Sequence, residues 1–106
     1  MNYDGRGISR VAVWGITLNV HPDTTSISGT SGIQLTDQHG GEDGPEAHFT
    51  LSIAVDAKNP TFRDAEHALL DGAIALASRL AKETPESLAA LLEEGRTRAE
   101  RFRKAD

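Results

Sequence analysis

The sequence predicts an α+β domain, in which a three-stranded antiparallel β-meander is followed by two C-terminal helices packed on one sheet face, in the order β-β-β-α-α. Three observations predict it. Apolar residues alternate with period two in the first half of the chain and recur with helical period in the second. The breaks fall at turn-forming stretches: His21-Pro22-Asp23, the Gly-rich stretch 37–46, Asn59-Pro60 and Thr84-Pro85. The length of 106 residues suits one domain spanning residues 1–106.

The first strand reads as Val11–Val20, after a flexible N-terminus at residues 1–10. Ala12, Trp14, Ile16, Leu18 and Val20 fall on one face, and Val11, Val13, Gly15, Thr17 and Asn19 on the other. His21-Pro22-Asp23 ends it, because the residue before Pro is held extended and Asp favours a turn. The second strand sets Ile27, Ile33 and Leu35 against Ser26, Ser28, Thr30, Gln34 and Thr36, with Gly29 and Gly32 marking a bulge or an edge. Residues 37–46 then form a mobile acidic loop. In the third strand Phe49, Leu51, Ile53 and Val55 alternate with His48, Thr50, Ser52, Ala54 and Asp56.

Asn59-Pro60 stops that strand, and Thr61 with Asp64 forms a capping box opening the first helix. Phe62, Ala65, Leu69, Ala73, Leu76 and Leu80 make its stripe, widened by Leu70, Ile74, Ala77 and Ala81. A stripe so wide predicts cover from two sides, by the sheet and by a second helix. Thr84-Pro85-Glu86 opens that second helix, whose seam is Leu88, Leu91, Leu92, Gly95, Ala99 and Phe102.

The formal net charge is −5, and it is unevenly spread. Residues 37–56 hold Asp37, Glu42, Asp43, Glu46 and Asp56 with no Lys or Arg, whereas residues 95–104 hold Arg96, Arg98, Arg101, Arg103 and Lys104 against Glu100 alone. An acidic whole disfavours phosphate backbones as general partners, although the basic end could touch one locally. With no Cys, no disulfide or thiolate chemistry is open, and a reducing compartment, the cytoplasm, fits best. Neither a leader nor a membrane span is expected, since the longest apolar run is Ala73–Ala77.

Motifs for chemistry fail on context. His21-Pro22-Asp23 is the tripeptide of J-domain co-chaperones, but here it joins two strands instead of two helices. Gly29-Thr30-Ser31-Gly32 is one residue short of a nucleophile elbow and has no helix behind it. The loop from Asp37 offers hard oxygen ligands, yet His48 stands where an EF-hand needs Glu. It also lacks the Lys and Ser/Thr of a phosphate-binding loop. His21, His39, His48 and His67 have no ligand spacing, and no pair of acids is placed for acid–base work. No cofactor, metal or enzymatic activity is expected.

The leading expectation is therefore a non-enzymatic binding module that inhibits or regulates a protein partner by occupying a basic surface, through Asp37, Glu42, Asp43 and Glu46. One alternative is a nucleic-acid-associated module using Arg96, Arg98, Arg101, Arg103 and Lys104. The other is a structural homo-oligomer, a homodimer being one form of it, in which the Leu seam of the second helix pairs with its copy and Gly95 permits close approach. The Ser- and Thr-rich sheet face and the two sheet edges are also open to packing or strand addition.

Three strands followed by a helix that opens with Thr and an acid is similar in plan to HicB-type antitoxins over Phe49–Leu80, the local match being Thr61-Phe62-Arg63-Asp64-Ala65. That family's Gly- and Pro-bearing first hairpin is missing here, and the assignment is not adopted. In general character (short, acidic, Cys-free, one domain) the chain is similar to phage inhibitors of host defence, the anti-CRISPR type among them, and to bacterial immunity proteins.

Overall fold

A computed structural model describes residues 3–56 and 59–104, with side chains through residue 101. The chain contains β1 (Ile8–Val20), β2 (Thr25–Leu35), β3 (Glu46–Val55), α1 (Phe62–Leu80) and α2 (Pro85–Lys104). The strands form one antiparallel sheet in the order β1-β2-β3, so the β-β-β-α-α plan of the sequence is the plan of the molecule. The chain divides into two compact units, Met1–Ala75 and Leu76–Asp106, and α1 begins in the first and ends in the second.

In the first unit β2 is the central strand. Its pairing with β3 is regular from Thr25↔Val55 to Gln34↔Glu46. Its pairing with β1 is not: the register shifts between Trp14 and Thr17, and again between Ile8 and Arg10. Gly15 supplies the first shift by adopting φ of +66°, a conformation that costs an L-residue about 1–2 kcal/mol and Gly almost nothing. The extra residue reverses the facing of everything before it. Val11 stands opposite Ile33 and Val13 opposite Ser31 on the helix-bearing face, while Trp14 stands opposite Thr30 on the outer face. The single alternation read through Val11–Val20 is thereby corrected: Ala12 and Trp14 do not share a face with Ile16, Leu18 and Val20, and Val11 and Val13 do not share one with Thr17, which stands outward opposite Ser28 as the sequence predicts.

The core lies between the sheet and α1. Ile27, Ala65 and Leu69 are fully buried, with Val13, Ile16, Leu51, Ile53, Val55 and Ala68 packed round them. Gly29 lets the helix come close, since a Cβ there would sit 2.6 Å from Leu69 Cδ1 and 3.3 Å from the Trp14 carbonyl oxygen. Buried Ser31 is satisfied by donating to the Leu69 carbonyl at 3.1 Å. Among the described residues, Thr25 Oγ1 is buried without a partner.

The expected capping box opens α1. The Thr61 amide donates to Asp64 Oδ2 at 3.0 Å, and the Asp64 amide donates to Thr61 Oγ1 at 3.1 Å. The Thr61 backbone amide, then its hydroxyl, and more weakly His67, hold the Asp64 carboxyl below its ordinary value of 3.8. The broad stripe of α1 is buried only at Ala65, Leu69 and Ala73, whereas Phe62, Ile74, Leu76 and Leu80 are exposed.

In the second unit Thr84 and Ser87 form a second box, with amide-to-hydroxyl distances of 3.2 and 3.1 Å. Arg79 donates to Glu83 at 2.6 Å and Ser87 to the other Glu83 oxygen at 2.8 Å. Both bonds, Arg79 first, lower the Glu83 pKa. The seam residues Leu88, Leu91 and Leu92 are exposed, and the Phe102 side chain lies outside the described residues. No helix among the described residues is long and apolar enough to cross a membrane.

Candidate functional site

The connection from β2 to β3 is held by backbone hydrogen bonds together with side-chain ones, and Asp37 organises it. Asp37 Oδ1 accepts from the amides of His39 at 2.8 Å and Gly41 at 2.7 Å. The Asp37 amide donates to the Gly41 carbonyl, and the Gly40 amide to the Asp37 carbonyl, with Gly40 at φ +86° closing the turn. At the loop's base Leu35 donates to the Pro45 carbonyl at 2.8 Å and Gly44 donates back to Leu35 at 3.1 Å.

The N-terminal segment ties this loop down. Thr36 donates to the Gly7 carbonyl at 2.9 Å, Gly7 donates to Thr36 Oγ1 at 3.1 Å, and Arg6 donates to the Thr36 carbonyl at 3.2 Å. The Ser9 hydroxyl, in the β1 bulge, reaches the Glu42 carbonyl at 3.0 Å. Arg6 also lies 5.5 Å from the centre of the Tyr3 ring, a cation–π distance that holds this aromatic at the loop's root.

The four acids read from the sequence therefore have three different fates. Asp37 is half-buried and spends its carboxylate on the loop's own amides. Glu46 opens β3 and bonds His48 Nε2 at 2.7 Å. Glu42 and Asp43 are exposed, and no hydrogen bond or ion pair among the described residues engages their carboxylates. With Ser9, Arg10 and Gln34 they line a polar cavity of about 90 Å³. Arg10 donates to Gln34 Oε1 at 2.8 Å across its floor.

The outer sheet face holds a cluster that the strand alternation hides. Trp14 meets His48 edge to face, with centroids 5.1 Å apart and planes at 85°. Its ring lies over Gly32, where a Cβ would come 2.5 Å from Trp14 Cη2. Beyond it Thr30 and Thr50 are hydrogen-bonded at 3.0 Å, and Ser52 lies 3.4 Å from both Ser26 and Ser28, so the hydroxyl ladder largely satisfies itself. The signal that would have found Trp14 here is Gly15, a turn-favouring residue inside a run of strand formers.

The basic end of α2 is partly neutralised, since Arg96 donates to Glu93 at 3.1 Å. Arg98 and Arg101 are exposed and line a cavity of about 350 Å³ with Glu94 and Thr97. The side chains of Arg103 and Lys104 lie outside the described residues. The His21-Pro22-Asp23 turn borders a cavity of about 420 Å³ with Thr25, Asp56 and Asn59. Among the described residues no group of three or more His, Asp or Glu side chains converges as a metal site would require. Comparison with known protein families, with curated proteins and with solved structures found no match.

Proposed function

We propose that the chain is a small non-enzymatic module that inhibits or regulates a protein partner by occupying a basic surface, and that Glu42 and Asp43 are its charged contacts. What carries this reading is the pairing of two unengaged carboxylates with a loop whose backbone is tied at both ends. A preformed loop loses little conformational freedom on contact, so its charges act at small entropic cost. Half-exposed Tyr3 supplies an aromatic anchor at the same loop's root, the residue type that dominates interface energetics. Asp37 serves as organiser and not as contact. In this reading the chain is of the anti-defence or immunity type, and its partner is one whose own ligand is an anion.

The test uses the tagged chain as bait in lysate of its host and of that host infected by phage. The double variant E42Q/D43N is expected to lose the partner and its salt dependence while keeping the circular-dichroism spectrum of the parent. Retention of the partner at unchanged salt dependence overturns the reading. So does capture of nuclease-sensitive material that disappears in R98Q/R101Q, which would transfer the function to α2.

A further inference from the structure

The sheet leaves β1 as an edge strand of 13 residues, with neither Lys nor Pro along it and Arg10 as its single charge. Edges of this length and composition are commonly defended by such residues, by bulges or by cover. Here two bulges are present, but among the described residues the apolar side chains of the strand stay exposed. On the helix-bearing face Ile8 is 65 % exposed, Val11 48 %, Leu18 40 % and Val20 67 %, with Val13 and Ile16 half-buried between them. The other edge, β3, exposes no large apolar residue.

The exposure along β1 is palindromic, and the register gives the centre. Trp14 stands opposite Thr30, the middle residue of β2, whose ends Thr25 and Leu35 stand opposite Val20 and Ile8. The Gly15 bulge is what makes the strand symmetric, because it puts Val11 and Val13 on the same face as Ile16, Leu18 and Val20. Without it the two halves of β1 would carry their apolar residues on opposite faces.

We propose that two copies of this chain pair through β1, antiparallel, about a two-fold axis at Trp14. Such an isologous contact sets each residue of one half against the matching residue of the other half. On the helix-bearing side Val20 meets Ile8 of the partner subunit, Leu18 meets Val11 of the partner subunit, and Ile16 meets Val13 of the partner subunit. On the outer side Trp14 meets the partner's Trp14, Thr17 the partner's Ala12, and Asn19 the partner's Arg10. No two like charges oppose one another along the strand, and each strongly exposed apolar residue is matched with one of similar exposure. The result is a continuous six-stranded sheet whose exposed β1 strip is covered by its own copy. The proposal rests on β1 alone and does not depend on the roles given to Glu42 and Asp43.

The absence of Cys makes a direct test simple. Directly opposed residues of an antiparallel pair have Cα atoms about 4.5–5.5 Å apart, within the reach of a disulfide. Trp14→Cys is therefore expected to form a homodisulfide under mild oxidation, whereas Ala12→Cys, whose opposite number is Thr17 of the partner subunit, remains uncrosslinked. Light scattering on the unmodified full chain should report a dimer. Val11→Lys and Leu18→Glu should each be monomeric alone. Mixing the two should restore dimers, since the introduced ammonium of one variant then faces the introduced carboxylate of the other. Such rescue cannot come from chains that fail to fold. A monomer at every concentration overturns the proposal, as does equal crosslinking at positions 12 and 14, or a dimer that neither charge substitution weakens.

Discussion

At the scale of single residues, Gly15 decides more of this molecule than any apolar side chain. Its positive φ lets one extra residue enter β1, and that residue determines which of Val13 and Trp14 meets the core. Gly15→Ala would force an L-residue into the left-handed region, at a cost of about 1–2 kcal/mol. The expected outcome in urea denaturation is a lower midpoint with an unchanged slope. A changed Trp14 fluorescence maximum in the native state should accompany it, because the Trp14–His48 contact depends on the same bulge. A variant with the parent's midpoint and spectrum would show that the bulge is not fixed by Gly15. Asp37 acts in the same way on a smaller scale: its side chain replaces backbone partners for two amides, which places Glu42 and Asp43 without touching them.

At the scale of elements, the capping boxes show how side chains set helix boundaries. Thr61→Ala removes the acceptor for the Asp64 amide, and loss of an N-cap costs about 1 kcal/mol. The same pair gives a pH dependence with a defined sign. Because the folded Asp64 pKa is depressed, the ionised carboxylate favours folding above its ordinary value of 3.8, and that contribution is lost as pH falls through the lower folded value. Stability should therefore decline below pH 3.8 less steeply in Asp64→Asn than in the parent, a comparison made by chemical denaturation at a series of pH values. The Thr61–Asp64 capping box, the Thr84 N-cap, the three strands and the order of elements were legible because periodicity and cap residues are local signals, whereas the part Ser87 plays at the second helix start was not read. The facing of Trp14 was not, since alternation carries no mark of an inserted residue beyond one Gly. The separate fates of Asp37, Glu42, Asp43 and Glu46 were equally hidden. They follow from which backbone amides lie near each carboxylate, and composition does not encode that. The stripe of α1 gave a true core at Ala65, Leu69 and Ala73, but its width overstated how much of the helix is buried.

At the scale of the whole molecule, the two proposals respond to salt with opposite signs, and this separates them without any substitution. Contact between Glu42 or Asp43 and a basic partner is an attraction between exposed charges, so ionic strength should weaken it through slower association. Pairing through β1 brings the end that carries Glu42 and Asp43 beside the His21-Pro22-Asp23 turn of the other copy, so these two acids approach the partner's Asp23. Screening relieves that repulsion while leaving apolar burial intact, and dimerisation should strengthen as salt rises from roughly 50 to roughly 500 mM, a range over which the Debye length shrinks several-fold. Sedimentation equilibrium across that range, beside partner capture in the same buffers, gives two curves of opposite slope. A pair would also carry its two acidic loops near opposite ends of strands about 40 Å long, far enough apart to engage two basic patches at once. Bivalent engagement raises avidity without a new contact, so Val11→Lys should weaken capture by a dimeric or surface-immobilised partner and leave a monovalent one unaffected. If capture of both falls equally, β1 itself touches the partner, and the acidic loop is one part of a larger contact.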